Sequence, residues 1–341
     1  MLEKLKNRIM SLSLVAVLIV SFSKSTPLFA AETIVLKQSI YTPAGHLYTS
    51  LTEEFAKRVA AVTDGRVKIQ VYPGQSLCPA KEELVATHNG SIDMSSGVTS
   101  YFAGLVPLLN YSVLPWSATQ TKETTNKAVM EMHPIIANAM KKFNVHLLYA
   151  YNVPGSNYCL VTRKEVHKPA DLKGLKIRTA GGFSDKVAMN WGAGVISIPA
   201  TEVYTVLQRG LADGTLMTKP SVKGFRLYEV APYVTDFSMG MNGLVIAINK
   251  DKWNQIAITD QQAITGLISE FLDWMTETLL EYNKSIRSEW SSIGVHVYDP
   301  TPSELELWKA GAKSLWADYA KSSPDAGKIV DILMKNGAGV K

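Results

Sequence analysis

The sequence has little cysteine and lacks the short motifs of the common enzyme classes. Only two cysteines occur in 341 residues, and no CxxC pair suggests a redox or metal centre. No HExxH, GxSxG, P-loop or GxGxxG segment is present. The histidines are scattered, at 46, 88, 133, 146, 167 and 296, and no two are placed to share a metal on one helical face. These absences predict neither a catalytic residue nor a metal or cofactor.

The N-terminus carries the features of a secretory signal peptide. Three of the first eight residues are basic, and an apolar run follows from Ser11 to Phe22. Residues 1–30 are predicted to be removed on export to the periplasm, so that the mature chain begins near Ala31. A retained membrane anchor is the alternative, but the run is shorter than the roughly 20 apolar residues of a spanning helix. No cysteine follows the run, which argues against a lipoprotein.

Loss of the signal peptide removes most of the excess positive charge. The formal net charge falls from +5 to +2, because residues 1–30 hold four basic residues and one acidic residue. No charged tail or run of like charges remains, so nucleic acid is not expected as a partner. Export also means an oxidising compartment. There Cys78 and Cys159 are either two buried free thiols, the interpretation that we favour, or a disulfide.

Strand and helix patterns alternate along the mature chain, whose length suits two domains. Such alternation predicts parallel β-α-β units and an α/β fold with helices on both faces of a sheet. The predicted strands are 35–39, 67–72, 92–95, 144–151, 175–178, 195–198 and 244–249. The predicted helices are 47–62, 81–89, 203–211 and a long one from Thr259 to about Ser291.

The most informative segment is Leu175–Arg178, which alternates apolar and basic residues as a short strand does. Arg178 ends this predicted strand, just before a flexible stretch with two glycines. The carboxyl ends of strands border the ligand crevice in open α/β sheets. An arginine there offers a planar fork of donors that matches a carboxylate. A surface arginine that caps the strand or pairs with an acid is the alternative.

Several segments together resemble the solute-binding proteins of tripartite ATP-independent periplasmic (TRAP) transporters, the C4-dicarboxylate-binding family. The segments are Gly65–Leu77, Asn89–Met94, Asp171–Arg178 and Pro199–Gly214, in the family's order and spacing. The resemblance covers essentially all of the mature chain. It implies two α/β domains of the type II-like periplasmic binding protein, with a ligand cleft between them and a long helix that braces both. The expected limits are 31–154 plus 243–284 for domain I, and 155–242 plus 285–341 for domain II.

The resemblance also implies roles for individual residues. Arg178 stands where the family's carboxylate-binding arginine stands. Tyr158 replaces a second arginine that many members have, and Ala200 replaces an aromatic residue. Thr218 lies where the family has an asparagine that touches ligand. Further candidates for ligand contact, which also suit a core position, are Met217, Tyr41, His46, Tyr101 and Phe183.

These departures predict the character of the ligand. With Tyr158 in place of the second arginine, one strong anion clamp remains, and an unpaired buried carboxylate is costly. Ala200 opens the cleft wall, and Met217 makes the next strand apolar. A monocarboxylate with a bulky or aromatic body is therefore expected rather than a succinate-like acid. The alternative is that neighbours refill the space and Lys219 supplies a second charge.

The combined expectation is an extracytoplasmic solute receptor that binds an organic acid and closes about a hinge. It is expected to be a monomer and to deliver the acid to a permease of one small and one large membrane subunit. A secreted α/β enzyme with an unrecognised site is one alternative. A ligand sensor that partners a signalling protein is another.

Overall fold

The computed structural model describes residues 33–155 and 157–340 and contains two β-sheets. The predicted signal peptide lies outside the described residues. The strands are β1 (Ile34–Ile40), β2 (Val67–Tyr72), β3 (Met94–Val98), β4 (Val145–Asn152), β5 (Tyr158–Thr162), β6 (Lys176–Thr179), β7 (Gly194–Ser197), β8 (Gly214–Thr218), β9 (Tyr233–Met239), β10 (Gly243–Asn249) and β11 (His296–Tyr298).

The first sheet has the strand order β2-β1-β3-β10-β4 and is mixed. The predicted parallel pairing holds among β1, β2 and β3. Strand β10, for which no direction was predicted, returns to this sheet as expected and runs antiparallel to both β3 and β4, because the chain enters from the opposite end. The predicted strand 92–95 begins two residues later, at Met94. Ile92 still belongs to the preceding turn, where its N–H donates to the Ala86 carbonyl oxygen.

The second sheet has the strand order β11-β9-β5-β8-β6-β7 and is also mixed. Here β6 is parallel to both β7 and β8, whereas β5 is antiparallel to β8 and β9. The chain therefore enters this sheet on an antiparallel strand, which brings the start of β5 to the same edge as the ends of β6 and β8.

Two short linkers join the sheets and lie side by side. The first follows β4 and contains Pro154 and Gly155, as the sequence indicated. The second precedes β10, and its Asn242 carbonyl oxygen accepts from the Val153 N–H at 2.9 Å. A Cβ at Gly240 would lie 2.5 Å from the Gly155 carbonyl oxygen, so the crossing requires glycine. The expected domain limits at these linkers remain predictions.

Four of the twelve helices in the described residues, α1, α2, α6 and α9, were predicted from amphipathic patterns, and the other eight were not. Helix α1 buries Leu51, Phe55 and Val59, which recur every fourth residue on one face. The predicted helix 203–211 ends early, at Gln208, because Gly210 takes a positive φ of 67°. The helices are α1 (Leu47–Val62), α2 (Glu83–His88), α3 (Thr99–Phe102), α4 (Lys122–Met140), α5 (Phe183–Asn190), α6 (Val203–Gln208), α7 (Lys219–Gly224), α8 (Lys250–Gln255), α9 (Ile258–Ser292), α10 (Pro302–Ala310), α11 (Lys313–Ala320) and α12 (Pro324–Lys335).

Helix α9 is the predicted long helix, and its 35 residues span about 52 Å. Near its start, Asp260 is paired with Arg66 beside the first sheet at 2.8 Å. Near its end, Arg287 is paired with Asp236 of the second sheet at 2.7 Å. The helix therefore braces both sheets. Among the described residues, no helix combines the length and hydropathy of a membrane span.

The C-terminal helices contact both halves of the molecule. The Trp316 indole N–H donates to the Pro115 carbonyl oxygen at 2.9 Å, and the Tyr319 hydroxyl to the Leu108 carbonyl oxygen at 2.7 Å. On the other side, the Trp191 indole N–H donates to the Trp308 carbonyl oxygen at 2.8 Å. The C-terminal helices thus connect the loops after β3 to the second sheet.

Both cysteines are free thiols. Cys78 is half-buried in a loop, and Cys159 is buried in β5, where burial raises the pKa of its thiol. The two thiols are therefore unpaired, as favoured, but only Cys159 is buried as expected, since Cys78 is partly exposed.

Candidate functional site

A narrow cavity lies between the two sheets, at one edge of each. The parallel strands β1, β3, β6 and β8 bring their carboxyl ends to it. The antiparallel strands β5 and β10 bring their starts. The residues that line the cavity are Tyr41, Val98, Tyr101, Tyr158, Arg178, Ala180, Ala200, Met217, Thr218, Ser221 and Asn242. Seven of the nine predicted ligand contacts are among them; His46 and Phe183 are not.

Arg178 is the most constrained of these residues. It is 1% exposed. Its Nε donates to the Ile198 carbonyl oxygen at 2.8 Å; its Nη2 donates to the same oxygen and to the Tyr101 hydroxyl at 3.3 Å. Nη1 reaches only the Met217 sulfur, at 3.8 Å, which is a weak acceptor. Within residues 33–155 and 157–340, no carboxylate oxygen lies within 4.0 Å of this guanidinium. The alternative of a surface arginine paired with an acid is therefore wrong.

Tyr101 connects Arg178 to the first sheet. It lies in α3, directly after β3, and its hydroxyl oxygen accepts from Arg178 and from the Ala200 N–H at 2.8 Å. With both contacts used for accepting, the hydroxyl hydrogen has no acceptor among the described residues. Tyr101 can thus donate to a group in the cavity while it holds the two sides together.

The other tyrosines form the walls of the cavity. The Tyr41 ring packs edge to face against Tyr101, with ring centroids 6.2 Å apart. The Tyr158 hydroxyl donates to the Leu216 carbonyl oxygen at 3.3 Å. Burial raises the pKa of Tyr41 and Tyr158, so both are neutral phenols. These rings leave about 20 Å³ open to the centre of a water molecule, which is room for about one water.

Phe183 and His46 are placed next to the cavity rather than in its wall. Phe183 begins α5 and packs its ring edge to face against Tyr319, with centroids 6.0 Å apart. His46 is the N-cap of α1, and its Nε2 lies 3.2 Å from the hydroxyl of Ser221, which does line the cavity. The local sequence placed both residues near the crevice, but Phe183 packs against Tyr319 and His46 reaches the cavity only through Ser221.

Lys219 does not supply a second charge to the cavity. Its Nζ lies 2.6 Å from an Asp236 carboxylate oxygen, and both side chains are buried. Asp236 also accepts from Arg287 of α9 at 2.7 Å. The lysine is therefore neutralised within the second sheet, and the alternative that gave it a ligand-binding role lacks support.

Four lining residues were missed by sequence reasoning: Val98, Ala180, Ser221 and Asn242. Asn242 carried a usable signal, because it stands between Gly240 and Gly243 in the return linker and asparagine tolerates a positive φ better than most residues; its φ is 87°. Ser221 had none, since a serine after a strand is common. Among the described residues, no group of three His, Cys, Asp or Glu side chains is placed to hold a metal.

Comparison with known proteins identifies the class. The family model described as bacterial extracellular solute-binding protein, family 7, matches residues 38–322. This chain belongs to that family, and it is a binding protein rather than an enzyme. A solute-binding protein of Albidiferax ferrireducens is 24% identical over 316 residues, which cover 89% of this chain and 92% of the relative. The resemblance to the solute-binding proteins of TRAP transporters is thereby confirmed.

Solved structures show the same fold. An extracytoplasmic solute receptor of Bordetella pertussis, DctP7, which binds pyroglutamic acid, has a TM-score of 0.81 at 19% identity, covering 89% of this chain and 100% of that one. A TRAP periplasmic solute-binding protein of Chromohalobacter salexigens with bound D-glucuronate has a TM-score of 0.79 at 20% identity, covering 88% and 99%. The predicted two-domain α/β architecture is confirmed.

Proposed function

We propose that this TRAP-family receptor binds an organic monocarboxylate through Arg178 and delivers it to a permease of one small and one large membrane subunit. The observation that carries the proposal is the buried guanidinium of Arg178, which has no carboxylate partner among the residues that the structure describes. Desolvating a charged group costs several kcal/mol unless an opposite charge compensates it. A ligand carboxylate would supply that charge.

The free donors at the site suit a carboxylate. Three N–H groups of Arg178 have oxygen acceptors in the protein, whereas the two on Nη1 reach only a thioether. The Tyr101 hydroxyl hydrogen is also free to donate. One carboxylate accepts from Nη1 and Tyr101 together, and exclusion of water strengthens the ion pair.

The charge of the cavity supports one carboxylate rather than two. Within the described part of the chain, Arg178 is the one charged residue that lines the cavity, and Lys219 is neutralised by Asp236. A second ligand carboxylate would be buried without a cation.

The size of the ligand is the finer part of the proposal. Ala200 favours a bulky or aromatic body, as the sequence predicts. Three tyrosine rings, however, fill the space beside it, and a large acid needs them to move. We therefore propose a compact monocarboxylate, with the bulky or aromatic acid as the alternative that a ligand screen decides.

Closure about the linkers is the proposed binding motion. Besides the Tyr101 contacts, the Gln75 side-chain amide donates to the Thr201 hydroxyl across the cleft at 2.7 Å. With so little free volume in the cavity, entry of any acid requires these cross-cleft contacts to open. The closed form then presents a surface composed of both sides to the permease.

The test is a binding screen on the mature protein, freed of carried-over ligand. Pyroglutamate, lactate, phenylacetate and succinate are compared by thermal shift and calorimetry, since a ligand of the native state raises the melting temperature. We expect a monocarboxylate to bind more tightly than succinate. Arg178→Ala should weaken that binding by about 2–5 kcal/mol, whereas Arg209→Ala, an exposed control, should not. Full affinity in Arg178→Ala would refute the proposed clamp.

Delivery needs a separate assay. Vesicles that contain both permease subunits should take up the best-binding acid only when the receptor is added. Uptake that is independent of the receptor would contradict the transport role and favour a sensor.

A further inference from the structure

A line of hydrogen bonds runs from the start of α1 to the cavity. The Tyr48 N–H donates to Nδ1 of His46 at 3.1 Å. Nε2 of His46 lies 3.2 Å from the Ser221 hydroxyl oxygen, which lies 2.8 Å from the Thr218 hydroxyl oxygen. All of these residues are buried. His46 follows β1 and Thr218 ends β8, so the line crosses from one side of the cleft to the other.

The direction of these hydrogen bonds follows from the histidine. Since Nδ1 accepts a backbone N–H, a neutral imidazole carries its proton on Nε2. Burial lowers the pKa of His46 to about 3, which keeps the ring neutral at physiological pH. Nε2 therefore donates, and the Ser221 oxygen accepts.

A count of the hydroxyl hydrogens leaves one donor over. Ser221 and Thr218 have two hydroxyl hydrogens, and the bond between them uses one. The other has no acceptor among the described residues. The nearby Tyr48 hydroxyl is likewise buried without a partner of good hydrogen-bond geometry among the described residues, and it lies close to the Thr218 and Asn242 side chains. Because Ser221 and Thr218 both line the cavity, the remaining hydroxyl donor belongs to the cavity.

We propose that His46 orients this chain so that one hydroxyl, on Thr218 or Ser221, donates to an oxygen of the bound acid other than its carboxylate. The inference rests on the proposed function, in which Arg178 holds the carboxylate. The ligand class is then a monocarboxylate with a further acceptor oxygen, such as a hydroxy acid, an oxo acid or a lactam acid. His46 is a positioning residue, since it acts through Ser221.

The fold makes room for this arrangement at Gly224. A Cβ at this position would lie 2.1 Å from Cδ2 of His46. A side chain at 224 therefore displaces the imidazole ring and breaks its contact with Ser221. Gly224→Ala thus disturbs the geometry of the chain without removing any of its polar groups.

Matched pairs of acids test the donor directly. Calorimetry on the mature protein compares lactate with propionate, and pyroglutamate with cyclopentanecarboxylate. The wild type should prefer the oxygen-bearing acid of at least one pair by about tenfold, the value of one good hydrogen bond. The double variant Thr218→Val with Ser221→Ala should lose this preference. Thr218→Ser, which keeps the hydroxyl, should retain it.

Two further variants test the role of His46. His46→Asn keeps an N-cap acceptor for α1 but loses the Nε2 donor, so the preference should fall several-fold, and Gly224→Ala should act in the same direction. Full preference in both variants overturns the role of His46. Nitrogen NMR of the wild type should show the proton on Nε2, and a proton on Nδ1 also overturns it.

The outcomes separate this inference from the function on which it rests. Acids that bind through Arg178 without preference within any pair overturn only the additional donor. Failure of every acid to bind overturns both proposals.

Discussion

Glu83 offers the sharpest test of the physical reasoning, because it is a carboxyl group buried beside the first sheet. It is fully buried at the start of α2, and its Oε1 accepts from the Ser39 hydroxyl at 2.8 Å. Its Oε2 has no partner within the described part of the chain. Burial raises the pKa of Glu83 from 4.5 to about 8, so the folded protein holds this carboxyl protonated at neutral pH.

The sign of the pH dependence follows from this raised pKa. The unfolded chain releases the proton near pH 4.5, whereas the folded chain keeps it until about pH 8. The stability that the proton contributes is complete below pH 4.5 and falls as the pH rises, by about 1.4 kcal/mol per pH unit. Between pH 5 and pH 7 the wild type should lose about 2–3 kcal/mol through this group.

Glu83→Gln removes this titration and keeps the shape of the side chain. We expect the difference in free energy of unfolding between variant and wild type to shift in favour of the variant as the pH rises. Urea unfolding followed by tryptophan fluorescence at several pH values measures it. The exposed neighbour provides a control, Glu82→Gln, which should follow the wild type. Parallel pH profiles for the wild type and Glu83→Gln would refute the assignment of a buried, protonated carboxyl.

Two other substitutions test the site and its support. Tyr101→Phe removes the hydroxyl that accepts from Arg178 and Ala200, and it should raise the Kd of the best-binding acid about tenfold by calorimetry; an unchanged Kd would contradict the bridging role. Asp236→Asn leaves two cations without their shared buried carboxylate and should cost about 3–5 kcal/mol in urea unfolding. Asp299→Asn, on the exposed side of Arg287, should cost less than about 1 kcal/mol; equal losses would contradict the buried pairing.

The ion cluster around Asp236 also explains why Arg178 is the one cation among the described residues that line the cleft. Lys219 follows Thr218 directly, so its backbone lies beside the cavity. Its side chain instead joins Asp236 and Arg287, and thereby fastens the end of α9 to the second sheet. The positive charge of Lys219, next to the cavity, therefore stabilises the contact between α9 and the second sheet.

The sequence by itself determined several of the elements and the class of protein. Alternation and amphipathic spacing are properties of neighbouring residues, so α1, β2 and the 35-residue helix α9 were predictable nearly to the residue. The position of Arg178 in the cavity wall was predicted in the same way, from a basic residue at the end of a short strand within a motif that the family shares. The segments that carry the resemblance lie in order along the chain, so they could be recognised without knowledge of the tertiary contacts.

The tertiary structure decided which groups meet. The antiparallel entry of β10, the capture of Lys219 by Asp236 and the contact between His46 and Ser221 join residues far apart in sequence. Phe183 packs against Tyr319, and Glu83 is buried beside Ser39. These contacts also join segments that are distant in sequence. A local pattern fixes the direction of a backbone and the face of a helix. The environment of a side chain depends on which distant segment packs against it, and that depends on how the two linkers bring the sheets together.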